Sequence, residues 1–163
     1  MVISDDHKAI DAAVAQTLGV AHQFCVIHKM RNALVRVAAH HRTAFFKDFK
    51  AIFWADSRDT AFLALGQLQE RWQRLYPKAT QIVTREPERF LRFFDQPAPL
   101  WTILRSSNLI ERFNRELRRR LRPAGAMQTE HELWKLVWSV STEQEKRWAK
   151  RKPNGSKEML KAA

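Results

Sequence analysis

The chain opens with a short continuous apolar run, Met1-Val2-Ile3, that stops at Ser4-Asp5-Asp6. Such a run predicts a brief buried strand. Ile10, Ala13, Val14 and Leu18 then recur at helical spacing, and Gly19 is a natural stop. A second bounded apolar run, His22 to His28, predicts another strand. A strand–helix–strand unit implies two parallel, buried strands.

Beyond His28 the spacing is helical. Helices are predicted over about Lys29–Ala39 and Thr43–Trp54, the second with Phe45, Phe49, Ile52 and Phe53 inward. Asp56 or Ser57 is placed to cap a third, reaching about Tyr76, with Ala61, Leu65, Leu68 and Trp72 inward. Pro77 follows its stop. Short helices are predicted at Thr80–Thr84 and Glu88–Phe94, before Pro97 and Pro99 break the chain. Trp101–Leu104 reads as a helical lead-in, and Ser106 or Ser107 as the cap of a helix over Asn108–Leu121 that Pro123 and Gly125 end. A last helix covers about Glu130–Arg151, with Leu133, Val137, Val140 and Trp148 inward, before a frayed tail after Lys152. The expected fold is mainly α with a small α/β part.

Composition narrows the picture. With 163 residues and 45% hydrophobic positions, the chain is long and apolar enough for a packed domain. No stretch approaches the roughly 20 apolar residues of a membrane helix, so no membrane partner is expected. The start of the chain turns acidic at once, unlike a signal peptide. Cys25 is the sole cysteine, which excludes an internal disulfide and fits a reducing, cytoplasmic compartment. The net charge is +12 and the pI about 10.6, which points to a polyanionic partner. That charge is concentrated: residues 105–122 hold seven Arg against two Glu.

Three segments carry candidate chemistry. On the helix around Glu111, Ile110, Phe113, Leu117 and Leu121 form an apolar stripe, and Glu111, Arg115, Arg118 and Arg122 a second one beside it. A carboxylate next to a row of guanidiniums suits a metal ligand beside a phosphate track; an exposed helix with ordinary ion pairs has the same pattern. Asp5 stands just past a buried strand, where α/β sheets place their chemistry, although Asp5 or Asp6 also suits a helix cap. Cys25 and His28 have the spacing of a half zinc site, but His40 and His41 are the remaining partners, so a buried strand-end Cys with His28 at the rim of a site is the better reading.

Taken in order, these segments resemble the Mutator-like family of DDE transposases, which includes many bacterial insertion-sequence transposases. Val2-Ile-Ser-Asp5-Asp6-His7-Lys8-Ala9 is similar to the family's segment around its second catalytic Asp. Phe24-Cys25-Val-Ile-His28-Lys-Met-Arg31-Asn32 resembles its Cys-x-x-His signature, whose role here is left open. Ser106-Ser107-Asn108-Leu-Ile-Glu111-Arg112-Phe-Asn114-Arg resembles its Thr-Thr-Asn-x-x-Glu-Arg-x-Asn block, with Ser-Ser for Thr-Thr.

The resemblance implies a ribonuclease-H-like core, truncated to strand–helix–strand plus a late helix, with an all-helical insertion. Residues 1–42 would be partial core, 43–100 the insertion, 101–152 the late core helices and 153–163 a flexible tail. It implies Asp5 and Glu111 as catalytic metal ligands, with Asp6 starting the following helix. The metals would be a pair of Mg²⁺ or Mn²⁺ ions about 4 Å apart. Arg105, Asn108, Arg112, Asn114, Arg115, Arg118 and Arg119 would contact DNA, both transposon ends and target. The family's first Asp has no counterpart here, so the expectation is a fragment inactive alone, nucleoid-associated if bacterial. Partners would include full-length transposase or a second copy. A non-enzymatic, basic nucleic-acid-binding or transposase-interacting protein is the alternative.

Overall fold

A computed structural model describes residues 1–122 and 129–150. The chain divides into two compact units, Met1–Ser107 and a second that begins at Asn108. Both are dominated by helices, and a two-stranded parallel sheet completes the first.

In the first unit β1 (Val2–Ser4) pairs with β2 (His22–Phe24), Val2 opposite His22 and Ser4 opposite Phe24. All three β2 residues are buried, as expected for a parallel strand covered on both faces, whereas β1, also expected buried, is half-buried. The crossover is α1 (Lys8–Ala13), which runs on as a π-helical segment, Val14–Leu18. Gly19 ends it in left-handed backbone, φ 57°, where a side chain would be strained. Of the four residues predicted inward on this helix, Val14 is buried, while Ile10, Ala13 and Leu18 are exposed. The cause is polar. Asp11 is bonded to His22 of the sheet, and the wide π turn carries Leu18 off that edge.

The second predicted strand is also shorter than its apolar run. Cys25 N–H still bonds Ser4 O at 2.7 Å, but Val26 N–H turns away to Arg105 O at 2.8 Å, and Lys29 N–H closes onto Cys25 O at 3.2 Å. Cys25 is thereby the N-cap position of α2 (Val26–Leu34), so the Cys25-to-His28 segment is a first helical turn rather than a strand end.

The long helices follow their predicted faces. α3 (Arg42–Phe53) buries Phe45, Phe49, Ile52 and Phe53; α4 (Arg58–Trp72) buries Ala61, Leu65, Leu68 and Trp72. Ser57 and Thr60 cap α4 reciprocally, each side chain taking the other's backbone N–H at 3.1 Å. Pro77, pre-set for a first helical position, starts α5 (Pro77–Thr84) three residues before the predicted Thr80. The predicted Glu88–Phe94 helix splits into α6 (Pro87–Phe90) and a 3₁₀ turn, Arg92–Asp95. The buried Gln23 stitches this break to the sheet: its amide donates to Phe90 O at 2.7 Å and its oxygen accepts from Phe93 N–H at 2.9 Å. α7 (Trp101–Leu104) lies where expected. One apolar cluster joins Phe24, Val26, Phe49, Leu68, Val83 and Phe93.

The second unit pairs α8 (Asn108–Leu121) with α9 (Glu130–Lys150). Arg120 meets Glu143 at 2.7 Å and Phe113 meets Trp148 with ring centroids 6.3 Å apart. That register runs α8 beside the C-terminal half of α9, leaving the first turns of α9 beyond Leu121. Leu133, predicted inward, is therefore exposed along with Trp134 and Trp138, while Val140 is buried. In α8, Phe113, Leu117 and Leu121 are half-buried and Ile110 is exposed. The expected helix stop at Pro123 and Gly125, Arg151 and the tail 153–163 lie outside the described residues. Among the described residues no helix is long and apolar enough to cross a membrane.

Candidate functional site

Asp5 leaves β1 directly and is fixed by its own backbone. Its carbonyl accepts from Ser4 Oγ at 2.8 Å and from His7 N–H at 2.9 Å, which turns the chain sharply at the strand end. α1 is capped by His7, whose Nδ1 accepts from Ala9 N–H at 3.3 Å. The helix start expected of Asp6 thus belongs to the next residue. Asp6 is instead exposed beside Asp5.

Both carboxylates line a cleft of about 500 Å³. α2 contributes His28 and Asn32, one turn apart, Arg36 follows in the turn just past its end, and Arg85 and Phe90 come from beyond α5. Lys29 also reaches this cleft while its side chain is buried. Its Nζ donates to Arg85 O at 3.0 Å and stands 2.9 Å from the centre of the Phe90 ring. Burial pushes its pKa down to about 6, with Asp6 and Glu86 opposing that shift. The fixed positive charge of the cleft comes from Arg36 and Arg85. Glu86, between Arg85 and Pro87, has left-handed backbone at φ 48°, so the Lys29 amine holds the carbonyl next to a strained residue.

Cys25 is fully buried, and its Sγ accepts from Ser107 N–H at 3.4 Å. His28, one turn on, is half-buried at the cleft. Sequence reasoning does not single out Asn32, Arg36, Lys29 or Arg85 as site residues. The i, i+4 spacing of His28 and Asn32 is a signal for Asn32, visible once the helix is known to begin at Val26, whereas Arg36 lies in the turn past Leu34.

Glu111 sits half-buried in the first turn of α8, in the second unit. Arg112, Asn114, Arg115, Arg118 and Arg119 of the same helix are exposed, and Asn108 at its start is half-buried. Arg119 and Arg120 bond Glu116 at 2.8 and 2.9 Å, which pulls its carboxyl down to about 2. Arg105 differs from these. It belongs to the first unit, and its guanidinium lies 5.0 Å from the Trp54 ring and 5.4 Å from the Phe93 ring. Burial lowers its pKa.

The donor set at the strand end fits a hard divalent cation. Asp5 and Asp6 offer exposed carboxylate oxygens beside an open cleft, the ligand type and access that Mg²⁺ and Mn²⁺ take.

Comparison with known proteins gives a consistent result. A sequence profile described as "Transposase, Mutator family" matches residues 1–151. The chain is 31% identical over 150 residues to the transposase for insertion sequence element IS406 of Burkholderia multivorans, covering 91% of this chain and 39% of that protein. It is 29% identical over 149 residues to the transposase for ISRM5 of Rhizobium meliloti, covering 91% of this chain and 37% of that protein. Against the transposase for IS905 of Lactococcus lactis it is 29% identical over 120 residues, 73% of this chain and 30% of that protein. The chain thus spans well under half the length of these relatives.

Proposed function

Because this chain belongs to the Mutator family of transposases, we propose that it serves DNA transposition as the segment carrying the second and third metal-binding carboxylates, Asp5 and Glu111. The β1–α1–β2 unit is then part of a ribonuclease-H-like core, and residues 43–100 an all-helical insertion between the two ligands. The carrying observation is the placement of Asp5: an exposed carboxylate, pinned by its own carbonyl, at the end of a parallel strand and beside a cleft.

Asp5 and Glu111 would hold Mg²⁺ or Mn²⁺. Bound divalent ions supply an activated water or 3′-hydroxyl and stabilise the leaving oxygen. The protein's own part is electrostatic. Arg112, Arg115, Arg118 and Arg119, with Asn108 and Asn114, are assigned to the DNA backbone of transposon ends and target, where guanidiniums replace condensed counterions. Arg105 is assigned to DNA as well, with a smaller share than the exposed arginines, because its guanidinium is partly withdrawn beside the Trp54 and Phe93 rings. Strand cleavage and joining are assigned to the whole transposase, with full-length transposase or a second copy as protein partner.

The test is binding of a labelled duplex by fluorescence anisotropy across a salt series. Affinity should be sequence-tolerant and fall linearly in log–log terms. Changing Arg112, Arg115 and Arg118 together to Gln should flatten the slope by about one for each phosphate that no longer meets a guanidinium. Affinity insensitive to salt, or a slope unchanged in the triple variant, would overturn the assignment of α8 to DNA.

A further inference from the structure

A chain of four side chains runs from α6 to the end of β1. Arg89 Nη1 lies 3.0 Å from Asp11 Oδ2, and its other amino group bonds Oδ1. The same Oδ1 is 3.1 Å from His22 Nδ1, and His22 Nε2 is 2.8 Å from Ser4 Oγ. Ser4 Oγ in turn donates to the carbonyl of Asp5. His22 is buried on β2 with its ring edge-on to Phe24 at 4.9 Å, and the Arg89 guanidinium lies 4.1 Å from the centre of the same Phe24 ring. The string therefore crosses elements that meet at the strand end.

From this we infer that Arg89, Asp11, His22 and Ser4 are positioning residues for Asp5, acting on its main chain rather than on its carboxylate. Arg89 holds Asp11 ionised, its carboxyl below the usual range through hydrogen bonds from Arg89 and then His22. An ionised carboxylate accepts only, so the His22 nitrogen facing it carries a proton and the ring cannot flip without breaking that bond. The single Ser4 proton is spent on the Asp5 carbonyl, so the opposite nitrogen donates to Ser4 Oγ, and both ring nitrogens carry protons in this string. Ser4 is fixed on one side by His22 and on the other grips the Asp5 carbonyl, which sets the direction in which Asp5 leaves the strand. Outer groups of this kind orient a ligand without touching the ion. The same string ties the ligand to α6, in the helical stretch far along the chain.

The inference rests on Asp5 being a metal ligand, and the test separates the two. Mn²⁺ affinity of the 163-residue chain is measured by water-proton relaxation for the parent, Asp5→Asn, Ser4→Ala, Ser4→Thr and Asp11→Asn, with melting temperature recorded for each. Expected are loss of the site in Asp5→Asn, about tenfold weaker Mn²⁺ binding in Ser4→Ala and in Asp11→Asn, and recovery in Ser4→Thr, which restores the hydroxyl. Asp11→Asn keeps the shape of the side chain, so it stands as the deciding variant if Ser4→Ala does not fold. Affinity unchanged in Asp5→Asn would sink the ligand assignment and this inference together. Loss in Asp5→Asn, with parental affinity in folded Ser4→Ala and Asp11→Asn, would sink the inference alone.

Discussion

The two units bury their residues to very different degrees. In residues 1–107, Phe45, Phe49, Ile52, Ala61 and Leu68 are wholly withdrawn from solvent. In the second unit α8 buries no residue fully, and α9 buries Val140. The reason is compositional. A 14-residue helix that presents Glu111 and five Arg cannot also present a broad apolar face. What α8 lacks in burial it replaces with charge, through Arg119 and Arg120 on Glu116 and Arg120 on Glu143. The lesson is a division of labour: the aromatic helices carry stability, and the segments bearing the candidate ligands and guanidiniums stay open.

The largest expected effect probes that contrast directly. Phe49→Ala should cost about 3–5 kcal/mol in urea unfolding through the cavity it leaves, whereas Ile110→Ala, exposed on α8, should cost under about 1 kcal/mol. Equal losses would break the comparison.

A smaller effect lies at the cleft. Between about 6 and 10.5 the unfolded chain binds a proton on Lys29 that the folded chain does not, so this group makes stability rise with pH across that window. Lys29→Met should therefore stabilise the fold near pH 6, by about 1–3 kcal/mol after the lost bond to Arg85 O is set against the removed cost of burying the amine. The gain should fade as pH approaches 10.5, where the folded amine is neutral and the unfolded amine is losing its proton. Parallel pH–stability curves for parent and variant would show that the amine is not the cause.

The smallest effect sharpens the other side of the comparison. The Glu116 pairs contribute above the ordinary carboxyl value of 4.5 and are lost as pH falls toward about 2. Arg120→Ala should lower the helical signal slightly at low ionic strength and not at all in about 1 M salt, where exposed pairs are screened. A loss that persists in high salt would mean packing, not charge, joins α8 to α9.

How far the sequence could be read follows the same division. The faces of α3 and α4 are legible because four large apolar residues recur at helical spacing in α3, and three around Ala61 in α4. The bounds of α8 are legible because the sequence places Ser106-Ser107 just before Asn108 and Pro123 soon after Leu121. Asp5 at a strand end is equally legible. The end of β2 is not, since an apolar run such as His22–His28 suits strand and helix alike. It is decided by Arg105 O taking the Val26 N–H, an acceptor far along the chain. The same holds for the inward edge of α1, set by Arg89 and His22 on Asp11, and for Lys29, a lysine whose spacing gives no hint that it is buried. Leu133 is exposed against expectation because the register of α8 on α9 depends on Arg120 meeting Glu143 and Phe113 meeting Trp148.

The account stands on Asp5 and Glu111 as ligands of divalent ions, and Mn²⁺ titration of the ¹⁵N-labelled chain tests it most directly. Amide signals of residues 4–7 and 109–113 should broaden at lower Mn²⁺ than those around Asp56, Asp59 and Glu70, and Asp5→Asn and Glu111→Gln should each remove broadening at the substituted position. Broadening spread evenly over all acidic surfaces, and unchanged in both variants, would contradict it.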